Sequence, residues 1–275
     1  MAQHDESLGQ EGETWPLRQL RIFFLALQFF TRLPIPHWVG FREELMGKTA
    51  RFFPLVGWIV GAASALVAWG ATQILPPFPA LLLALIAGVL LTGALHEDGF
   101  ADTCDGFGGG ASRERVFEIM RDSRIGVFGA LGIGLLLALK LSCLAALPLS
   151  VVVAAMLAAH PLSRALAATV MWRLDYAGSE GKSAPVARRM SHGEFFFAAL
   201  CGLLPMGLLV VLSWQAALAG MALALLSTTY LTCLFVRRIG GYTGDCLGAV
   251  QQLSETGFHL GVTSWYFSVG FGHGL

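Results

Sequence analysis

The sequence predicts an all-α, polytopic integral membrane protein, and three observations carry that prediction. Only 13% of the 275 residues are charged, about half of the ~25% usual in soluble domains. The apolar residues fall in long runs near 52–75, 77–96, 125–147, 149–172, 195–214, 216–236 and, more weakly, 256–274. Each run is close to the roughly 20 residues needed to cross a hydrocarbon core. The runs also lack the period-two alternation of a barrel, so helices must satisfy their own backbone bonds in lipid. A hydrophobic content of 55% further excludes a disordered chain.

Along the chain, residues 1–15 are polar and mildly acidic. They read as a disordered tail without a signal-peptide pattern. Residues 16–275 are expected to form one transmembrane catalytic domain. Ile22–Phe30 is apolar but too short to cross, and it ends in Thr31, Arg32, Pro34 and Pro36. It reads as an interfacial or re-entrant helix. About six to seven transmembrane helices follow.

Sixteen of the 18 Lys and Arg residues lie before the first run or between runs two and three, four and five, and after run six. The intervening turns, near Pro76–Pro79, Pro148 and Trp214–Gln215, carry none. The positive-inside rule then places the charged loops and the N-terminus in the cytoplasm. Only Lys140 and Arg164 fall within runs. Lys140 is expected to snorkel outward. Arg164, beside His160 and Ser163, is expected to face the protein interior and to pair with an acid or a substrate phosphate. Every Asp and Glu falls in the polar segments, so no acid is expected deep in a span. That favours surface chemistry over coupled transport. Eighteen cations against 18 acids give no reason to expect nucleic acid. Five scattered cysteines without a CxxC indicate neither a disulfide framework nor a zinc site; Cys104 and Cys246 read as packing residues.

The segment Leu91–Gly110, LTGALHEDGFADTCDGFGGG, runs from an apolar helix directly into Glu97, Asp98, Asp102 and Asp105. Asp98, Asp102 and Asp105 stand at i, i+4 and i+7, on one face if the helix continues to Gly106. Carboxylates stacked this way repel unless cations neutralise them. Hard oxygen ligands suit Mg²⁺, which takes one or two carboxylates, waters and phosphate oxygens. Glu97, Asp98, Asp102 and Asp105 are therefore the candidate metal ligands. His96 is a candidate base, or else an ordinary interfacial histidine. Gly108 and Gly109 lie in a glycine run expected to form a flexible turn that approaches an anion. Arg113, Arg115, Arg121 and Arg124 follow and, with Arg164, are candidates for binding substrate phosphates. A second segment, Arg237–Glu255, has glycines at 240, 241 and 244. Thr243 or Asp245 would cap a helix there, and Asp245 would join the site. A plain re-entry turn is the alternative.

LALQFFTRLPIP, FFPLVGWIVG, EDGFADTCDGFGGG with RDSRIGVFGALG, and GGYTGDCLGA together resemble the cobalamin synthase family, over most of residues 22–255. The resemblance implies a Mg²⁺-dependent adenosylcobinamide-GDP ribazoletransferase of the bacterial cytoplasmic (inner) membrane. Such an enzyme joins α-ribazole, or its 5′-phosphate, to adenosylcobinamide-GDP and releases GMP in cobalamin biosynthesis. The implied partners are these two substrates and the lipid bilayer. The sequence leaves the oligomeric state open, a homo-oligomer included. A CDP-alcohol phosphotransferase is the nearest rival. Its pattern resembles D-G-x-x-A-R followed by G-x-x-x-D-x-x-x-D; here the A-R is absent and Asp102 to Asp105 is one residue too short. A permease is the non-enzymatic alternative.

Overall fold

Apart from one isolated backbone bridge, every regular segment among the described residues is helical. The structure is a computed structural model and describes residues 13–178 and 189–272. The expected polar tail lies outside the described residues up to residue 12, as do Lys182 and Arg188. In chain order the helices are α1 (Trp15–Phe30), α2 (Glu43–Met46), α3 (Phe53–Ala71), α4 (Pro77–Thr92), α5 (Leu95–Gly109), α6 (Arg113–Met120), α7 (Val127–Ala145), α8 (Leu149–Arg173), α9 (His192–Leu203), α10 (Met206–Ile239) and α11 (Gly244–Gly272).

Among the described residues, four helices are long and apolar enough to cross a membrane: α3 with the turn before it, α7, α8 and α10. The bent pair α4 and α5 would make a fifth. This is fewer than the seven apolar runs in the sequence, and the backbone explains the difference. The run at 195–214 is divided between the 12-residue α9 and the first turns of α10. At Ser213 the backbone leaves the helical region (φ −163°, ψ 101°), and the Ser213 hydroxyl accepts from the Ala216 amide at 3.2 Å. This break is one residue from the expected turn at 214–215. The last run is the second half of α11.

The central helix is α8, most of whose residues are buried. Small residues bring its neighbours close. A Cβ on Gly57 of α3 would meet the α8 backbone at His160 at 2.7 Å, and one on Gly202 of α9 would run into the Ala165 side chain. Leucines such as Leu66, Leu135, Leu200 and Leu226 remain exposed on the outer helices, as expected of a lipid-facing surface.

The expected direct run of α4 into the acidic segment is corrected by the structure. Gly93 and Ala94 both adopt left-handed conformations (φ 65° and 60°), and α5 leaves at 90° to α4. Gly93 follows α4 as a left-handed cap, the usual glycine role at a helix end. Arg32, just beyond α1, packs on this bend; its amide donates to Leu91 O at 2.8 Å. As expected, α1 at 16 residues is too short to cross. The acidic helix α5 therefore lies across the end of the bundle instead of prolonging a span.

The polar segments meet at that same end. Arg238 donates to the carbonyls of Phe107 and Gly110, Arg51 pairs with Glu194 at 3.5 Å, and Tyr242 N donates to Asp175 O at 3.2 Å.

Candidate active site

The site forms where α5 crosses the start of α11. A Cβ on Gly99 would lie 2.9 Å from Asp245 Cα, and one on Gly248 would lie 3.1 Å from His96 O. Glycine at both positions lets the two backbones touch, which sets Asp98 and Asp102 of α5 beside Asp245 of α11. Thr243 caps α11 by accepting from the Cys246 amide at 3.3 Å, one of the two caps the sequence offers.

Asp98 is exposed, while Asp102 and Asp245 are half-buried. The affinity of Asp102 for its proton is pushed up to about 7, first by burial and then by the negative charges of Asp98, Asp245 and Asp105. Like charges with no cation among them raise a carboxylate in this way.

A cavity of about 530 Å³ opens beside this contact. Asp98 and Asp245 belong to its wall, as do His96, Arg164 and Gln251. Phe30, Phe53, Tyr176 and Tyr242 line the remainder together with aliphatic residues. The His96 ring stacks on Phe30, with centroids 5.6 Å apart and planes 10° apart.

Other sequence-predicted residues lie elsewhere. The three aspartates do share a helix, but Asp105 does not present a free carboxylate. Its oxygens accept from the amides of Gly126 and Gly129 at 2.7 and 2.8 Å, so it caps the start of α7. Glu97 points away from the aspartates and accepts from Gln252 Nε2 at 2.8 Å. Gly108 and Gly109 form no flexible turn, because α5 runs through Gly109 and its helical bonds occupy their amides. Gly108 packs against the Phe128 ring. The arginines also separate. Arg115 pairs with Glu118 at 2.7 Å and Arg124 with Asp122 at 2.6 Å, and both line a different hollow. The Arg124 hydrogen bond lowers the Asp122 carboxyl to about 2. Arg113 lies over the Phe117 ring at 5.6 Å. The charge of Arg121 reaches the Tyr176 phenol on the cavity wall. Arg164 faces the interior as expected, 2% exposed, and lines the cavity.

Two expectations fail at a buried ionic network. Lys140 does not snorkel outward; it is 2% exposed, and its ammonium donates to Gln252 and Glu255, each at 2.8 Å. Glu255 is equally buried, eleven residues into α11 or about 16 Å along its axis. An acid therefore does lie deep in the bundle. Its second oxygen accepts from Gln251 at 2.6 Å and lies 3.0 Å from His160 Nδ1. A charge costs too much in lipid unless it is paired, and α11 provides the partners that Lys140 would otherwise seek at the surface. Gln251, Tyr176, Tyr242 and Phe30 were not singled out in the sequence. Phe30 stood only inside the longer segment LALQFFTRLPIP, and Tyr242 and Gln251 only inside Arg237–Glu255.

Residues 22–263 match the family model described as cobalamin-5-phosphate synthase. The chain belongs to the cobalamin-5-phosphate synthase family. It is 46% identical over 241 residues to an adenosylcobinamide-GDP ribazoletransferase of Ralstonia nicotianae, covering 86% of this chain and 92% of that relative. Against the enzyme of the same name from Shewanella frigidimarina, the identity is 44% over 257 residues, 90% and 96% of the two chains. A Leptothrix cholodnii relative of that name is 44% identical over 264 residues, 93% of this chain and 98% of its own. No solved structure matches. The span matched by the cobalamin-5-phosphate synthase model encloses the α5–α11 contact, the cavity and the buried network.

Proposed function

We propose that this chain is an adenosylcobinamide-GDP ribazoletransferase that joins α-ribazole, or its 5′-phosphate, to adenosylcobinamide-GDP and releases GMP. It would do so in the bacterial inner membrane, with the acidic rim facing the cytoplasm. The family match carries the activity, and the clustering of arginines at the rim end of the bundle supports the orientation. Membership in this family also sets aside the CDP-alcohol and permease readings.

The site suits such a transfer. The 3′-oxygen of the acceptor forms a bond to the phosphorus on the cobinamide side, the bond from that phosphorus to the GMP oxygen breaks, and GMP leaves. The residues that fit a divalent cation are Asp98, Asp102 and Asp245. Among the described residues, no three His, Cys, Asp or Glu side chains form a ready-made metal cage. Mg²⁺ does not require one, since it takes one or two carboxylates and completes its shell with waters and substrate phosphates. Burial raises Asp102 first, and the mutual repulsion that adds to it is what a bound cation would relieve. When present, Mg²⁺ neutralises charge on the diphosphate and on the departing phosphate.

The protein's own groups do the rest. Aromatic walls hold the flat base of the acceptor, and packing orients it so that the hydroxyl meets the rim. His96, fixed by Phe30 on the cavity wall, is placed to take the hydroxyl proton. The test is GMP release by purified, reconstituted protein from GDP-cobinamide plus α-ribazole, with and without Mg²⁺. Release that requires both substrates and the metal is expected. Turnover of CDP-diacylglycerol instead would contradict the reading.

A further inference from the structure

Arg164 is a guanidinium with too few partners. It is 2% exposed on α8 and lines the cavity. A guanidinium has five N–H donors. The structure shows one donating to His160 O at 3.0 Å, while Nε is buried with no partner. Of its acidic neighbours, Glu255 has both oxygens facing Lys140, Gln251 and His160, while Glu97 accepts from Gln252 through one oxygen and buries the other without a hydrogen-bond partner. A buried charge left this way is costly unless a ligand completes it. Gln251 also lines the cavity, and its Oε1 is buried without a donor.

Depth separates this cation from the carboxylates. Asp98 is exposed at the rim, whereas Arg164 and Gln251 are buried. A cavity of about 530 Å³ accommodates a ligand of drug size. That suits a single nucleotide and is too small for a corrinoid bearing its own nucleotide, so the donor's diphosphate belongs at the rim. The acceptor enters the cavity. The name cobalamin-5-phosphate describes a product that keeps a phosphate outside the reacting centre, and such a spectator phosphate needs a cation of its own. Arginine, with its planar fork of donors, suits that task.

We infer that Arg164 binds the 5′-phosphate of the acceptor nucleotide at the inner end of the cavity and thereby sets a preference for the phosphorylated acceptor over the free nucleoside. This rests on the ribazoletransferase reading above. It makes Arg164 a specificity residue for a phosphate that takes no part in the transfer.

The experiment compares kcat/KM for α-ribazole 5′-phosphate and for α-ribazole, with the same GDP-cobinamide donor, in wild type, Arg164→Gln and Arg164→Lys. The ratio of the two values within each protein cancels differences in the folded fraction. Losing a charge-assisted phosphate contact should lower the ratio about ten-fold or more in Arg164→Gln. Arg164→Lys, which keeps the charge without the fork, should show a smaller drop. An unchanged ratio in both variants would overturn the assignment, as would equal losses for both acceptors, which would move Arg164 to the donor's diphosphate. A wild-type protein releasing no GMP with either acceptor would instead sink the ribazoletransferase reading itself.

Discussion

The acidic rim and the buried ionic network meet on one helix, α11, yet they treat their carboxylates in opposite ways. Glu255 accepts from Lys140 and Gln251, and His160 Nδ1 lies 3.0 Å from it. Asp98, Asp102 and Asp245 have chiefly one another, and burial together with these like charges pushes Asp102 up to about 7. A carboxylate whose oxygens are filled by the protein holds helices together. One left among like charges is kept for something that arrives later. Asp105 shows that sequence spacing does not separate these roles. It shares a helix with Asp98 and Asp102, but its oxygens belong to α7.

The strongest way to break the comparison is Glu255→Gln. It strands the Lys140 charge in the bundle and should cost about 3–5 kcal/mol, seen as a lower thermal midpoint in detergent and less recovered protein. Replacing the pair together, Lys140→Met with Glu255→Leu, should restore most of that stability. If Glu255→Gln melted like wild type but lost all transfer, the network would belong to the chemistry after all.

Asp102→Asn is the counterpart at the rim. It removes a repelling charge and should leave the melting midpoint unchanged or higher, while GMP release falls about 10²–10³-fold. Wild-type turnover in that variant would remove Asp102 from the site. Gly99→Ala sharpens the geometry. Its methyl would meet Asp245 Cα at 2.9 Å, pushing α5 from α11 at a cost of about 1–3 kcal/mol. Transfer should drop more than stability if the close approach aligns the carboxylates. The smallest effect is expected of Asp105→Asn, which weakens a cap by about 1 kcal/mol; a modest fall in the melting midpoint checks it.

Much of this was legible in the sequence. Apolar runs gave the helices, the polar gap at 214–215 lay one residue from the break at Ser213, and the Asp spacing matched the extent of α5. The bend at Gly93–Ala94 was not legible, because two left-handed residues within an apolar run leave no polar signature. Nor was the fate of Lys140 or Asp105. The partners of Lys140 stand 112 and 115 residues away, and those of Asp105 stand 21 and 24 away. A side chain's environment is set by whichever helix packs on it, and linear spacing records only its own helix. Glu255 was misjudged for a related reason. It borders the last apolar run, but α11 begins eleven residues earlier and carries it inward.

The most direct measurement is the Mg²⁺ dependence of GMP release in Asp245→Asn beside Asp105→Asn. Asp245→Asn should need far more Mg²⁺ than wild type for half-maximal rate, whereas Asp105→Asn should follow the wild-type curve. The reverse pattern would contradict the account, because it would place the cation on the carboxylate that α7 already holds.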